Sequence, residues 1–140
     1  MSLFQTVLAC GTFDLLHPGH LYFLRQAKKY GKKLVVIVAR DQTVKRLKKH
    51  FPQESEAIRL KKIKALNFVD QAYLGSLSAP YRLLKKIKPD LICLGYDQKF
   101  YACGLKEKLK ILGLPARIKR IGGYKTTIYK SSKMFGRGRN

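Results

Sequence analysis

The stretch Gly11-Thr12-Phe13-Asp14-Leu15-Leu16-His17-Pro18-Gly19-His20 decides the fold of this chain. It follows a short apolar run, Thr6 to Cys10, and leads into a helical pattern that begins near Pro18. Glycine at position 11 suits a loop whose backbone comes close to a bulky group, and proline is tolerated in the first helical turn because its missing N–H has no partner there. We therefore predict a strand, a tight loop and the start of a helix.

The start of this helix is a predicted anion site. Backbone amides and the positive end of the helix dipole favour a phosphate there, and Gly19 has no side chain to hold a ligand away. His17 and His20 lie three residues apart, so they share one face of the first turn and can donate hydrogen bonds to the anion. A helix cap flanked by two surface histidines is the alternative interpretation.

These residues resemble a known motif. The segments Gly11–Asp14 and His17–His20 match the HxGH motif of the nucleotidylyltransferase superfamily in type and spacing, as in glycerol-3-phosphate cytidylyltransferases, pantetheine-phosphate adenylyltransferases and archaeal-type FAD synthetases. The position behind a strand and a loop adds to the weight of the four-residue pattern. The resemblance implies a nucleotidyltransferase with His17 and His20 as its catalytic residues.

The length and composition limit the number of domains, the cellular location and the state of the cysteines. The 140 residues fit one domain, spanning residues 1–140. No run approaches the roughly 18 apolar residues of a membrane span, and the N-terminus lacks the pattern of a secretory signal, so we expect a cytoplasmic protein without membrane contact. The three cysteines, Cys10, Cys93 and Cys103, are widely spaced. We expect reduced thiols and neither a disulfide scaffold nor a zinc site.

The charge is strongly positive. Thirty Lys and Arg against eight Asp and Glu give a net charge of +22, which attracts polyanions. Most of these residues fit solvated helix faces, and no RNP motif or zinc finger accompanies them. A basic nucleic-acid-binding protein remains an alternative, with binding expected to be non-specific. The clusters are Lys45, Arg46, Lys48 and Lys49; Arg59, Lys61, Lys62 and Lys64; Arg82, Lys85, Lys86 and Lys88; and Arg137 with Arg139.

Apolar runs alternate with helical periodicity along the chain. The predicted strands are Thr6–Ala9, Leu34–Ala39, Gln71–Leu74, Leu91–Leu94 and Ala116–Ile121. The predicted helices run from Pro18 to a stop at Gly31, from a cap at Asp41 to Leu47, through Leu60, Ile63 and Leu66, from Tyr81 to Ile87, and through Leu105, Leu109 and Leu112 to Gly113. This alternation predicts an α/β fold, a Rossmann-like open parallel sheet of about five strands with helices on both faces.

Such sheets bind ligands outside the carboxyl ends of their strands, where the strand order switches. The Gly11 loop, the pair Arg40 and Asp41, and the run Gly95-Tyr96-Asp97 should lie along this rim. Neither a G-x-G-x-x-G pattern nor a P-loop is present, which disfavours dinucleotide dehydrogenases and P-loop enzymes.

Further segments indicate which group of the superfamily this chain resembles most. Val38–Asp41, Leu94–Phe100 and Tyr124-Lys125 followed by Ser131–Lys133 look most like the archaeal-type FAD synthetases, which join AMP from ATP to FMN. The resemblance implies nucleotide binding by Thr12, Phe13, His17, Pro18, Gly19, His20, Asp97 and Tyr124. It also implies phosphate binding by Ser131, Ser132 and Lys133. Related cytidylyltransferases carry a phosphate-contacting arginine at the position of Arg59, and we add Lys45 as a further phosphate-binding candidate. The alternatives are a turn cap for Asp97, a packed aromatic for Tyr124, a solvated helix position for Arg59 and a polar tail for Ser131–Lys133.

A cytidylyltransferase that uses CTP and a phosphorylated alcohol is the second hypothesis. Enzymes of the glycerol-phosphate type typically have Gly-Asp-Asp-Trp where this chain has Gly95–Gln98, and Arg-Tyr-Val-Asp where it has Asn67–Asp70, which counts against CTP. The chain lacks the paired C-terminal cysteines of some archaeal relatives and differs over Thr126–Lys130, so the acceptor stays open. Family members often dimerise, which keeps a homodimer open as well.

The expected chemistry is a direct in-line attack. A phosphate oxygen of the acceptor attacks the α-phosphorus of the nucleoside triphosphate, while His17 and His20 stabilise the developing charge. Lys133 or Lys45 would neutralise the β and γ phosphates. No all-protein metal site is visible in the sequence, so we expect Mg²⁺ to be held mainly by the triphosphate and water.

Overall fold

The computed structural model describes residues 4–76, 82–95 and 105–122. The strands are β1 (Phe4–Gly11), β2 (Gly31–Val38), β3 (Gln71–Leu74), β4 (Leu91–Gly95) and β5 (Arg117–Ile121). The helices are α1 (Pro18–Lys29), α2 (Asp41–Lys48), α3 (Glu56–Lys64), α4 (Arg82–Ile87) and α5 (Leu105–Leu112). The five strands form one sheet in the order β3-β2-β1-β4-β5, and every neighbouring pair is parallel. The predicted Rossmann-like fold is confirmed.

The apolar core lies on both faces of the sheet. On one face, Val7 of β1 and Val36 of β2 are fully buried in a cluster with Leu24 of α1 and Ile63 of α3. The other face buries a second cluster, in which Leu8, Val35, Ile92 and Leu94 lie against Leu84 of α4 and Leu109 of α5. Successive strand residues point to opposite faces, so the continuous apolar runs of the sequence supply both layers.

The strand order reverses beside β1. From β1 the chain builds outward through β2 and β3, and then returns to place β4 and β5 on the other side of β1. The switch in strand order therefore falls between β1 and β4, at the carboxyl end from which the loop before α1 departs. This is the position where open α/β sheets bind their ligands.

Gly31 has a different role from the predicted one. Helix α1 ends at Lys29 with Tyr30 as its C-cap, and Gly31 is the first residue of β2, which begins three residues before the predicted Leu34. A Cβ atom at position 31 would lie 2.4 Å from Cγ2 of Val7 and 2.9 Å from the carbonyl oxygen of Phe4. The glycine is required because β1 and β2 approach closely there.

One predicted helix start and one predicted helix end differ from the structure, and a second predicted helix end agrees with it. Arg40 is the N-cap of α2, and Asp41 is its first residue, so the predicted cap at Asp41 is wrong by one position. Leu66 lies beyond α3, which ends at Lys64. Gly113 follows α5 with a left-handed φ of 71°, which confirms the predicted end of that helix.

The described cysteines are reduced. Cys10 packs with the α4 and α5 face of the sheet and Cys93 with the α1 and α3 face, so the sheet separates the two side chains. Burial raises the pKa of each thiol to about 12, which keeps both protonated. Cys103 lies outside the described residues. No helix in the described ranges is long and apolar enough to cross a bilayer.

Replacing Gly31 with alanine should destabilise the fold. The added methyl group meets a side chain and a backbone carbonyl in a close-packed sheet, so we expect a loss of about 2 kcal/mol or more in the free energy of unfolding. Gly122→Ala is the matched control, because no described atom lies within 4 Å of a Cβ atom there. Urea unfolding of both variants checks this, and equal stability of the two would contradict it.

Candidate active site

The loop between β1 and α1 is backbone-strained and tightly held. Phe13 and Leu15 have positive φ angles of 55° and 53°, which is uncommon for residues other than glycine. The Asp14 carboxylate accepts the N–H groups of Gln53 and Glu54 at 2.8 and 2.9 Å. In return, the N–H of Leu15 donates to the Glu54 carboxylate at 3.1 Å. The loop before α3 thus fixes the loop that carries the motif.

His17 is the N-cap of α1. Its Nδ1 accepts the N–H of Gly19 at 3.0 Å, and the N–H of His17 donates to Nδ1 of His20 at 3.2 Å, which forms a capping box with Pro18 in the first turn. The Gly19 amide, predicted to be available to an anion, therefore binds His17. His17 is also only 8% exposed, so the alternative interpretation of surface histidines is wrong for this residue.

The hydrogen bonds assign one tautomer to both imidazoles. Each Nδ1 accepts a backbone N–H, so in the neutral rings the hydrogen is on Nε2. The two rings are stacked, with centroids 3.7 Å apart and an interplanar angle of 24°. The structure thus brings the two predicted catalytic residues together as a pair of Nε2–H donors.

His20 is held in its neutral form. Burial is the main cause that lowers its pKa from 6.5 to about 3, His17 and Lys48 lower it further, and Asp14 opposes the shift. Near pH 7 the ring can therefore donate a hydrogen bond but carries no positive charge. Its electrostatic contribution comes from a dipole and not from an imidazolium ion.

The Phe13 ring packs against the His20 ring of this pair. Its ring is 4% exposed, meets the His20 ring edge-on at a centroid distance of 5.6 Å, and is stacked with Phe23 at 6.4 Å. The side chain predicted to bind nucleotide is thus buried, and its described contacts are with the rings of His20 and Phe23. The side chain positions His20.

Lys48 is a cation that the structure brings to the motif, and the sequence prediction missed it. Its Nζ lies 3.5 Å from Oγ1 of Thr12, a buried residue that was predicted to bind nucleotide. Lys48 follows the buried Val44 by four residues, so both lie on the same face of α2. This four-residue spacing is the feature of the sequence that could have identified Lys48.

The structure describes other contacts for Lys45, which was predicted to bind phosphate. Its Nζ donates to the carbonyl of Lys49 at 3.2 Å and lies 5.6 Å from the centroid of the Phe51 ring. The described contacts of Lys45 are thus with the loop after α2, while those of Lys48 are with the motif.

Arg59 is fully buried, with 0% exposure. Its guanidinium donates to the carbonyls of Thr12 at 2.8 Å, Ala39 at 2.8 Å and Glu54 at 3.0 Å, and to the Asp41 carboxylate at 2.6 Å. The alternative of a solvated position is therefore wrong, and the described contacts of the guanidinium are all with the protein itself. The arginine instead ties the residues that follow β1 and β2 to the start of α3.

A second arginine extends this network to β3. The carboxylate of Glu56 accepts the N–H of Asp41 at 2.8 Å, and the N–H of Glu56 donates to Asp41 at 3.3 Å, so the starts of α2 and α3 cap each other. Arg40 donates to Glu56 at 3.2 Å and to the carbonyl of Gly75, just after β3, at 2.6 Å. Arg40 and Asp41 do lie on the predicted rim, where their described contacts are structural.

Several predicted residues lie outside the described ranges: Asp97, Tyr124, Ser131, Ser132 and Lys133. Pro18 and Gly19 are in the first turn of α1 as predicted. Within residues 4–76, 82–95 and 105–122, no three His, Cys, Asp or Glu side chains are grouped as metal ligands.

The comparison with protein families agrees with this geometry. Residues 8–132 match the family model described as cytidylyltransferase-like. The chain belongs to the cytidylyltransferase-like family. The resemblance inferred from the motif is thereby confirmed, and the stacked histidines are the HxGH pair of a family member.

Two relatives of this cytidylyltransferase-like chain are FAD synthases. The FAD synthase of Methanosarcina barkeri is 54% identical over 82% of this chain and 81% of its own length. That of Methanohalophilus mahii is 44% identical over 94% of this chain and 92% of its own length. Both agree with the resemblance to archaeal-type FAD synthetases.

Solved structures share the fold. A Thermoplasma volcanium protein described as a lipopolysaccharide core biosynthesis protein has a TM-score of 0.79 and 43% identity, covering 86% of this chain and 98% of its own. A pantothenate synthetase from Thermus thermophilus has a TM-score of 0.59 at 13% identity, covering 94% of this chain and 64% of its own. The second likeness concerns the fold alone.

The low pKa of His20 should make stability fall in acid. Between pH 6.5 and about pH 3 the unfolded chain binds a proton at this residue that the folded chain does not, so the free energy of unfolding decreases as pH falls. At about pH 5 this loss amounts to about 2 kcal/mol.

His20→Gln removes the titrating group and keeps an acceptor for the N–H of His17. Urea unfolding between about pH 7 and 4 should therefore show a shallower loss for the variant than for the wild type. Parallel curves for the two proteins would mean that His20 titrates normally in the fold.

Proposed function

We propose that this chain is an FMN adenylyltransferase, an FAD synthase, which transfers AMP from ATP to FMN and releases pyrophosphate. The observation that carries the proposal is the stacked His17 and His20 pair at the switch in strand order, with both rings set as Nε2–H donors. The FAD synthase relatives, at 44% and 54% identity over most of the chain, support FMN and ATP as the substrates.

The reaction is a single displacement at phosphorus. A phosphate oxygen of FMN forms a bond to the α-phosphorus of ATP, and the bond from that phosphorus to the bridging oxygen breaks, so pyrophosphate leaves with that electron pair. The FMN phosphate is already anionic and needs no base to activate it. The enzyme's contribution is to align the two substrates and to stabilise the charge of the transition state.

The histidines act as preset dipoles. Their Nε2–H groups donate to the phosphate oxygens as negative charge builds there, and one such donor contributes about 3 kcal/mol to transition-state stabilisation. Because burial keeps His20 neutral in the folded protein near pH 7, its Nε2–H group is ready to donate a hydrogen bond to the phosphate. Lys48, next to Thr12, supplies positive charge at the same loop.

The roles of the remaining substrate-binding residues are proposed from the family resemblance. Asp97 and Tyr124 bind the nucleotide, and Ser131, Ser132 and Lys133 bind its phosphates. Mg²⁺ arrives with the triphosphate, because this ion prefers phosphate oxygens and water and keeps most of its hydration. The Asp14 carboxylate serves the loop instead, since it accepts two backbone N–H groups.

ATP with FMN should be the productive substrate pair. The test measures pyrophosphate release by the full chain with ATP and with CTP, each combined with FMN and with glycerol 3-phosphate, and identifies the product by chromatography. We expect FAD from the first combination at the highest rate. Faster turnover of CTP with glycerol 3-phosphate would assign the chain to the cytidylyltransferases of the second hypothesis.

His17 should show separable structural and catalytic roles. His17→Ala removes both the cap and the donor, so we expect kcat to fall on the order of 10²-fold or more and stability to fall by about 1 kcal/mol. His17→Asn retains a good N-cap side chain without the Nε2–H group, so it should recover the stability but not kcat. The ATP KM should change little in both variants.

Steady-state kinetics and urea unfolding of the two variants give both quantities. His20→Ala provides the second catalytic comparison and should lose kcat to a similar extent. Near-normal kcat in folded His17→Ala and His20→Ala would remove the basis for an enzymatic role of this pair.

A further inference from the structure

Phe51 is an exposed aromatic residue close to the candidate active site. Its side chain is 53% exposed, and among the described residues only Ile58 (47%) and Ile111 (76%) are also large, apolar and exposed. Single exposed apolar residues are common on protein surfaces, so exposure alone indicates no ligand. Phe51 differs from the other two because it lies in a loop and not in a helix, and because its ring lies beside the Lys45 ammonium.

The loop that carries Phe51 is fastened to the motif on both sides. It follows α2, whose last residue, Lys48, contacts Thr12, and it ends at Gln53 and Glu54, whose N–H groups bind the Asp14 carboxylate. Three residues span at most about 11 Å, and two span about 7 Å. The backbone of Phe51 therefore lies within about 11 Å of the backbone of Lys48 and within about 7 Å of that of Gln53. Both of these residues contact the motif loop.

The loop is also locally ordered. Lys49 ends α2 in a left-handed conformation with φ 70°, and the ring Nδ1 of His50 lies 3.1 Å from the carbonyl oxygen of Phe51. The Lys45 ammonium lies 5.6 Å from the centroid of the Phe51 ring. An aromatic surface bordered by positive charge is thus held beside the loop where phosphate chemistry would occur.

These features match the chemistry of an acceptor that is flat and aromatic at one end and anionic at the other. We propose that Phe51 stacks on the isoalloxazine ring of FMN while the phosphate of FMN reaches the histidine pair. The inference rests on the proposed function, since it requires FMN as the acceptor. It assigns to the α2–α3 loop the recognition of the flavin ring.

The proposal predicts which kinetic constant changes. The flavin ring takes no part in the reaction at phosphorus, so stacking binds FMN equally in the ground state and in the transition state. Loss of such uniform binding raises the FMN KM and leaves kcat unchanged. Ring stacking on a protein aromatic residue corresponds to a change on the order of 10-fold in affinity.

The experiment compares Phe51→Ala, Phe51→Trp and Ile58→Ala with the wild type. Ile58→Ala is the matched control, because it truncates another half-exposed apolar side chain, at the start of α3. The FMN KM is measured at saturating ATP and the ATP KM at saturating FMN, and thermal unfolding checks that each variant is folded. All three substitutions are on the surface and should leave the fold intact.

We expect Phe51→Ala to raise the FMN KM on the order of 10-fold, with kcat and the ATP KM within about twofold of wild type. Phe51→Trp should restore the FMN KM, and Ile58→Ala should match the wild type. An unchanged FMN KM in Phe51→Ala, or an equal rise in Ile58→Ala, overturns the proposal while the FMN activity of the wild type stands. A wild type that turns over only another acceptor overturns both the proposed function and this inference.

Discussion

The buried guanidinium of Arg59 is the interaction on which the active-site end of the sheet depends. A fully buried positive charge has a high desolvation cost, which is offset here by three backbone carbonyls and the Asp41 carboxylate. Two of those carbonyls belong to Thr12 and Ala39, which follow β1 and β2. The arginine thus bridges the residues that follow two paired parallel strands, and it stabilises the start of the loop that leads to the histidines.

The active-site loop is a case in which strain and function are combined. Phe13 and Leu15 have positive φ angles, and the contacts of Asp14 with the loop before α3 stabilise this conformation. The histidines contribute to the same structure, since His17 caps α1 and His20 accepts the N–H of His17. The groups proposed to stabilise the transition state are therefore also the groups that begin the helix, which fixes their geometry before any substrate binds.

The sequence predicted the fold well because its evidence is local. Apolar runs such as Leu34–Ala39 and the helical spacing after Pro18 are visible within a few residues, and alternating elements imply a parallel sheet. The role of Arg59 could not be predicted in this way, since its partners come from positions up to 47 residues away. Lys48 is an intermediate case: its spacing from Val44 indicated an inward position, but only the fold shows that Thr12 lies opposite.

The shared tautomer of the two histidines determines how their hydrogen-bond donors respond to pH. Both Nδ1 atoms are engaged by backbone amides, and His20 takes up a proton only near pH 3. The Nε2–H donor of His20 therefore keeps its protonation state when the pH falls about one or two units below neutral. The position of the hydrogen on this ring is thus set by the fold, and it does not follow the acidity of the surrounding solution in the neutral and mildly acidic range.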